Sequence, residues 1–262
     1  MAAMSWWLLP LLFALLEGLI CSATGTVLLT QRRILQANLV AHGVLPGLAI
    51  ALALNLDPAI GGWLSGLAAA LLAERLIRSH QQQQEAVINT VLAGSLAGGV
   101  LLLSLLNLRV DLEPLLFGDL LTAGWRDLWQ TLVAAVLSLG FLATNYRALV
   151  FCGVDPDGAE AAGINIKRLH TLLAVVSTLV IVSAIAAVGV ILVIALLCAP
   201  AVVALHTSRS LKEASLKAAA IGASCSAAGF GLSLALDLPP GPLIGLSCLL
   251  LLVLPKTSQQ RN

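Results

Sequence analysis

Long apolar stretches, each separated from the next by a few polar residues, recur from one end of the chain to the other. They show neither the strict alternation of a half-buried strand nor the one-sided stripe of a helix on a water-soluble core. Most are apolar on every side over enough residues to cross a hydrocarbon layer ~30 Å thick as a helix. The pattern predicts nine spans, at approximately Trp6 to Leu29, Leu39 to Leu54, Ala59 to Leu76, Ala86 to Leu106, Leu128 to Leu149, Leu169 to Ala187, Val188 to Leu205, Leu216 to Leu236 and Pro242 to Leu254. The expected fold class is all-α, a polytopic membrane protein forming one domain over residues 1–262 without linkers.

The boundary that needs an argument lies between Leu169 and Leu205, where nothing charged interrupts the run. A single helix rising ~1.5 Å per residue would be nearly twice as long there as the hydrocarbon is thick. A break is therefore expected near Val188-Gly189. Charge supports it, because nine spans put all of the 14 Lys and Arg on one side except Arg109 and Arg126. Merging the sixth and seventh spans splits the basic residues evenly. Positive residues collect on the cytoplasmic side, so the expectation is an N-terminus outside and a C-terminus inside. The first span lacks the basic start of a signal peptide and is followed by Arg32-Arg33 where cleavage would fall, so it is read as retained.

Composition narrows the function. The chain is 59% hydrophobic and 10% charged with a mean hydropathy of +0.99, whereas soluble domains carry roughly 25% charged residues. A net charge of +1 and a single tyrosine, Tyr146, offer no field or stacking platform for nucleic acid. Cys21, Cys152, Cys198, Cys225 and Cys248 stand singly, four of them inside apolar runs, and read as small hydrophobes. No phosphate loop, HExxH, GxSxG or paired intramembrane carboxylates are present, so an enzyme is not expected. Transport remains, and polar residues at membrane depth are where to look for it.

The richest cluster is Asn38-Leu39-Val40-Ala41-His42-Gly43-Val44-Leu45-Pro46-Gly47. Asn38 and His42 are four apart and share a helix face. Imidazole with an oxygen donor suits Mn, Fe, Ni or Zn. Pro46 lacks an N–H for the helical ladder, and Gly43 and Gly47 allow a kink, local unwinding or close approach of another backbone. The other reading of His42 is a histidine hydrogen-bonded to a neighbouring helix. Glu17, one or two turns below the outer surface, could meet an incoming cation or pair with another helix. Asp237 reads as part of a helix-ending turn, and Asp111, Glu113 and Asp119 as outer carboxylates that could attract a cation or a binding protein. His80, His170 and His206 fall at cytoplasmic ends of spans. In the inner loop, Asp155 can cap a short helix, Pro156 can begin it, Asp157 adds charge at its start, and Gly163 can end it. So short a helix needs something to hold it.

AHGVLPG, then DLEPLLFGDLL at 111–121, AVGVILVIALLCAPAVVAL at 187–205 and GLSLALDLPPGPLIGL at 231–246 occur in order across nearly the whole chain. Together they resemble the permease subunit of the ABC transporters that import manganese, zinc or iron. The resemblance implies a non-catalytic pathway for a divalent metal ion, which is cargo rather than a permanent cofactor. It implies residence in the cell membrane, a second copy of the chain, two separate ATP-binding cassette subunits and an extracytoplasmic metal-binding protein. His42, Asn38 and Glu17 become candidate metal contacts. The loop helix at about 155–163 becomes the coupling helix, with Asp155, Pro156, Asp157, Ala159, Glu160, Ala162 and Gly163 facing the ATPase. Asn38 departs from the family's frequent DxxxH pattern, and a neutral amide should hold a divalent ion less tightly than a carboxylate. An ion-coupled secondary transporter would instead show inverted repeats and more buried carboxylates, and a non-conducting assembly subunit would not need a histidine beside a Gly-Pro-Gly segment.

Overall fold

A computed structural model describes residues 7–77, 79, 83–108, 118 and 120–253. The helices are α1 (Leu8–Thr30), α2 (Ile34–Ala53), α3 (Pro58–Ile77), α4 (Gln84–Leu105), α5 (Trp125–Thr144), α6 (Tyr146–Val154), α7 (Pro156–Ala161), α8 (Ile166–Val188), α9 (Val190–Thr207), α10 (Leu211–Leu236) and α11 (Pro240–Val253). Eight are long and apolar enough to span a membrane, and α11 is a shorter apolar helix. The nine expected spans are thus found as helices. Asp111, Glu113, Asp119 and His80 lie outside the described residues, as does most of the 111–121 segment.

The helix ends close in a repeated way. Arg32, Asn55 and Asn107 adopt left-handed conformations just past α1, α2 and α4. Each donates its N–H to a carbonyl three residues back, and the following residue donates five back, as Leu56 does to Ala51 at 2.8 Å. The last carbonyls of these helices are thereby satisfied without water. Asp237, at φ 56, ends α10, so the reversal before α11 turns on it. Gly241 lies buried within α11.

Neighbour contacts fix the helix directions. Gly47 of α2 meets Gly61 of α3 while Gly43 meets Ala69, so these two are antiparallel. Gly66 and Gly62 of α3 face Thr178 and Val182 of α8 in the same antiparallel sense. Gly18 and Ser22 of α1 meet Ser226 and Gly222 of α10. Helices α10 and α11 form an antiparallel hairpin in which Ser247 bonds the carbonyl of Cys225 at 2.9 Å. Lys217 near the start of α10 bonds the carbonyl of Thr207 at the end of α9. It follows that α8 and α9 run in opposite directions and that the chain reverses at Gly189, whose φ of 83 breaks the helix where the sequence requires it. One difference concerns the fifth span, expected to reach Leu149: α5 stops at Thr144, and residues 146–154 turn off as α6, burying Leu149 and Cys152.

Close approach holds these helices together, and it sets up a contrast. A Cβ on Gly25 would collide with the backbone of Leu197, whereas one on Gly140 would meet nothing. Gly25→Ala should cost about 1–3 kcal/mol through forced separation of α1 and α9. Gly140→Ala should be neutral or stabilising by about 0.5 kcal/mol. Thermal unfolding of the detergent-purified variants tests the pair, and equal midpoints would contradict it.

Candidate functional site

Helix α2 is buried on most of its circumference, since Gln36, Ala37, Leu39, Val40, Ala41, Gly43, Val44, Leu45, Gly47, Ala49 and Ala51 are all covered. Among the residues that are not fully buried, Leu35, Asn38, His42 and Pro46, half-buried, and Ile50, exposed, follow one another at helical spacing. Asn38 and His42 are therefore together on a face that the chain itself covers only in part. Such polar side chains are costly against hydrocarbon.

The imidazole has a defined orientation. His42 Nδ1 lies 3.0 Å from the backbone oxygen of Asn38. A carbonyl can only accept, so Nδ1 carries the proton and donates, leaving the Nε2 lone pair free. Pro46 has no N–H to give the carbonyl of His42, four residues earlier. The imidazole, that carbonyl and the Asn38 amide oxygen thus supply donors along one face. Helix α2 is continuous through Pro46, and Gly43 and Gly47 serve close approach to α3 rather than unwinding. Ser65 of α3 donates a hydrogen bond to the carbonyl of Gly43 and fixes that approach.

Glu17 stands elsewhere. It is wholly buried, accepts from Thr131 of α5 at 2.7 Å and from Cys21 at 3.5 Å. One heptad on, Thr24 and Ser138 lie 3.0 Å apart. These contacts form a polar seam between parallel α1 and α5, so Glu17 is not brought to the half-covered face of α2. The sequence placed its depth but carried no sign of the partner that encloses it. Among the described residues, no three His, Cys, Asp or Glu side chains gather as a metal site within one chain.

The loop helix forms as its capping residues predict. Asp155 accepts from the N–H of Gly158 at 2.9 Å, and Pro156 begins α7. Gly163, at φ 84, ends it, with its N–H on Glu160 and that of Ile164 on Ala159. Ala159 corrects the expectation of a partner-facing residue: it is fully buried and packs inward with Ile164, which is what holds so short a helix. Asp155, Pro156, Asp157, Glu160, Ala162 and Gly163 remain exposed.

A clamp that sequence reasoning missed joins three helix ends on the basic side. Arg33 donates to Gln36 at 2.9 Å, to Glu74 of α3 at 2.6 Å and to His170 of α8 at 2.8 Å. A guanidinium only donates, so Nδ1 of His170 accepts. The available signals were Glu74 near the end of one apolar run and His170 near the start of another. On the opposite side Arg126 pairs with Asp57 across the starts of α5 and α3.

The sequence pattern of the ABC 3 transport family matches residues 6–258. The manganese transport system membrane protein MntC of Listeria monocytogenes is 31% identical over 224 residues, 86% of this chain and 80% of that protein. The chelated iron transport system membrane protein YfeD of Yersinia pestis is 31% identical over 232 residues, 88% of this chain and 78% of that protein. Among solved structures, PsaBC from Streptococcus pneumoniae in complex with Fab superposes with a TM-score of 0.86 at 27% identity, covering 95% of this chain and 90% of that one.

The seam at Glu17 makes its own prediction. Glu17→Gln keeps an oxygen for Thr131 and should preserve stability. Thr131→Val and Glu17→Leu should each destabilise, and a double-mutant cycle between them should return a coupling of about 1 kcal/mol. Unfolding in detergent measures it, and strict additivity would refute the bond.

Proposed function

The chain belongs to the ABC 3 transport family, and from that premise we propose that the half-covered face of α2 lines its metal pathway. The protein is the membrane-spanning permease subunit of an ABC importer for divalent transition-metal ions. It does no bond chemistry itself, and ATP is hydrolysed on a separate chain. The observation that carries the proposal is the pair of Asn38 and His42, polar, oriented and only half-covered on a helix that is buried over most of its surface.

A second copy of the chain, related by a two-fold axis, covers that stripe and brings two imidazoles and two amide oxygens to a shared path. Each Nε2 offers a lone pair to a passing ion, because Nδ1 is committed to the Asn38 carbonyl. Nitrogen with neutral oxygen donors accommodates manganese, iron or zinc, and the relatives transport manganese and chelated iron, as their names state. Asn38 in place of a carboxylate lowers the affinity of the passage. The N-terminus and the Arg126–Asp57 side face outward, where an extracytoplasmic binding protein delivers the ion.

Two ATPase subunits engage the exposed side of α7, at Asp157, Glu160, Ala162 and Gly163. Their movement passes through α7 into α8, against which α7 packs. From α8 it reaches α2 by way of the His170–Arg33 bond. A displacement of the coupling helix is thereby delivered to the helix that carries His42, as alternating access requires.

His42→Leu keeps volume and removes the ligand. It should lower uptake of radioactive manganese by about tenfold or more at unchanged membrane abundance. Asn38→Asp should tighten binding of the ion and slow its release. Wild-type uptake by His42→Leu would eliminate the ligand role. On the cytoplasmic side, Ala162 is exposed, so Ala162→Arg should fold normally yet abolish metal-stimulated ATP hydrolysis by placing bulk and charge in the contact. Unaltered hydrolysis in the reconstituted complex would refute docking at α7.

A further inference from the structure

Helices α10 and α11 cross on a glycine. A Cβ on Gly229 would lie 2.5 Å from the Cα of Ile244, so the two backbones touch there. One turn back from Gly229 is Cys225, and one turn on from Ile244 is Cys248. Because the hairpin is antiparallel, both steps lead the same way and leave the two cysteines opposite each other. Ser247 fixes this register, since its hydroxyl reaches the carbonyl of Cys225 at 2.9 Å. Both thiols are free and buried, about halfway along α10, and they hydrogen-bond one another.

The remaining cysteines are placed differently. Cys21 gives its S–H to Glu17 at 3.5 Å, while Cys152 and Cys198 stand on α6 and α9. Neither the pathway at α2 nor docking at α7 uses the facing pair. A disulfide needs Cα atoms ~5.5–6 Å apart, and facing residues one turn from a glycine crossing come that close. A metal ion fits less well. It would require ionised sulfurs at membrane depth, and among the described residues no third His, Cys, Asp or Glu joins the two. A disulfide is neutral and needs no further partner.

We propose that Cys225 and Cys248 form a reversible disulfide that staples α11 to α10 when hydrogen peroxide, which is uncharged, enters the membrane. One sulfur attacks the peroxide, the O–O bond breaks, and a sulfenic acid and one water result. The second sulfur then displaces that hydroxyl, so the S–S bond forms, the S–O bond breaks and a second water leaves. The two sulfurs lose two electrons to the peroxide oxygens, and both thiol protons depart in the waters. Thiolate is scarce in hydrocarbon, so the pair responds to sustained exposure rather than to a brief pulse. The helix that gains is α11. Its 14 residues are fewer than the ~20 that cross the hydrocarbon. It is buried on one side only, at Pro240, Gly241, Leu243, Ile244 and Cys248.

The test uses the permease assembled with its ATPase subunits in lipid nanodiscs, exposed to hydrogen peroxide, denatured and alkylated. No Lys or Arg stands between Lys217 and Lys256, so one tryptic peptide carries both cysteines. In wild type that peptide should lose two hydrogens and escape alkylation, and dithiothreitol should restore both alkylation sites. The oxidised complex should unfold several degrees higher than the reduced one. Cys225→Ser and Cys248→Ser should each leave the other cysteine alkylated and abolish the rise in midpoint. Cys198→Ser should change neither result. The proposal is overturned if the wild-type peptide stays fully alkylated, gains oxygen without losing two hydrogens, or links to a second copy of the chain. A disulfide that formed but left the midpoint unmoved would overturn the staple.

Discussion

Inside a bilayer, packing two helices together hides no apolar surface from water, so close contact and buried hydrogen bonds must hold them. This constraint organises the molecule. Backbones meet where glycine permits it, at Gly47 with Gly61, Gly18 with Gly222 and Gly25 with Leu197. Because α2 is gripped through Gly43 and Gly47 on one side and packs against α4, α8 and α9 on others, the stripe that holds Asn38 and His42 is covered only in part. The candidate pathway follows what this packing leaves half-covered.

The polar residues at membrane depth divide by commitment. Glu17, Thr131, Thr24 and Ser138 are consumed in tying α1 to α5. Arg33, Glu74 and His170 are consumed in tying three helix ends. His42 differs, since among the described residues its bond runs to its own helix and engages one ring nitrogen. A residue with a second ring nitrogen to offer is suited to something that passes by.

The spans, the break at Gly189 and the capped loop helix were legible in the sequence because each rests on local rules: run length, charge bias and residues with special backbone preferences. The Asn38-His42 pair was legible for the same reason, as a spacing on one helix. Less was visible where the answer depended on which helix lies beside which. Glu17 read either as a cation contact or as a residue pairing with another helix, because its depth is encoded locally while its partner Thr131 lies far along the chain. Ala159 read as part of a docking face because the six residues of α7 give no indication of which side meets the bundle. The clamp on His170 needed three distant segments at once. The turn into α6 was hidden by apolar residues that continue past Thr144 without a break.

The reversal at Gly189 has a mechanical meaning. Two membrane-spanning helices joined through one residue have no slack, since a single residue reaches only ~3.5 Å. If α8 is pushed along its axis or tilted, α9 must follow at that end. Helix α9 in turn abuts α1 at Gly25 and bonds Ser22 through the carbonyl of Leu196 at 2.9 Å. The joint therefore behaves as a rigid elbow rather than a tether. A displacement applied at the Ile166 end of α8 would reach both α2, through the His170–Arg33 bond, and α1, through α9.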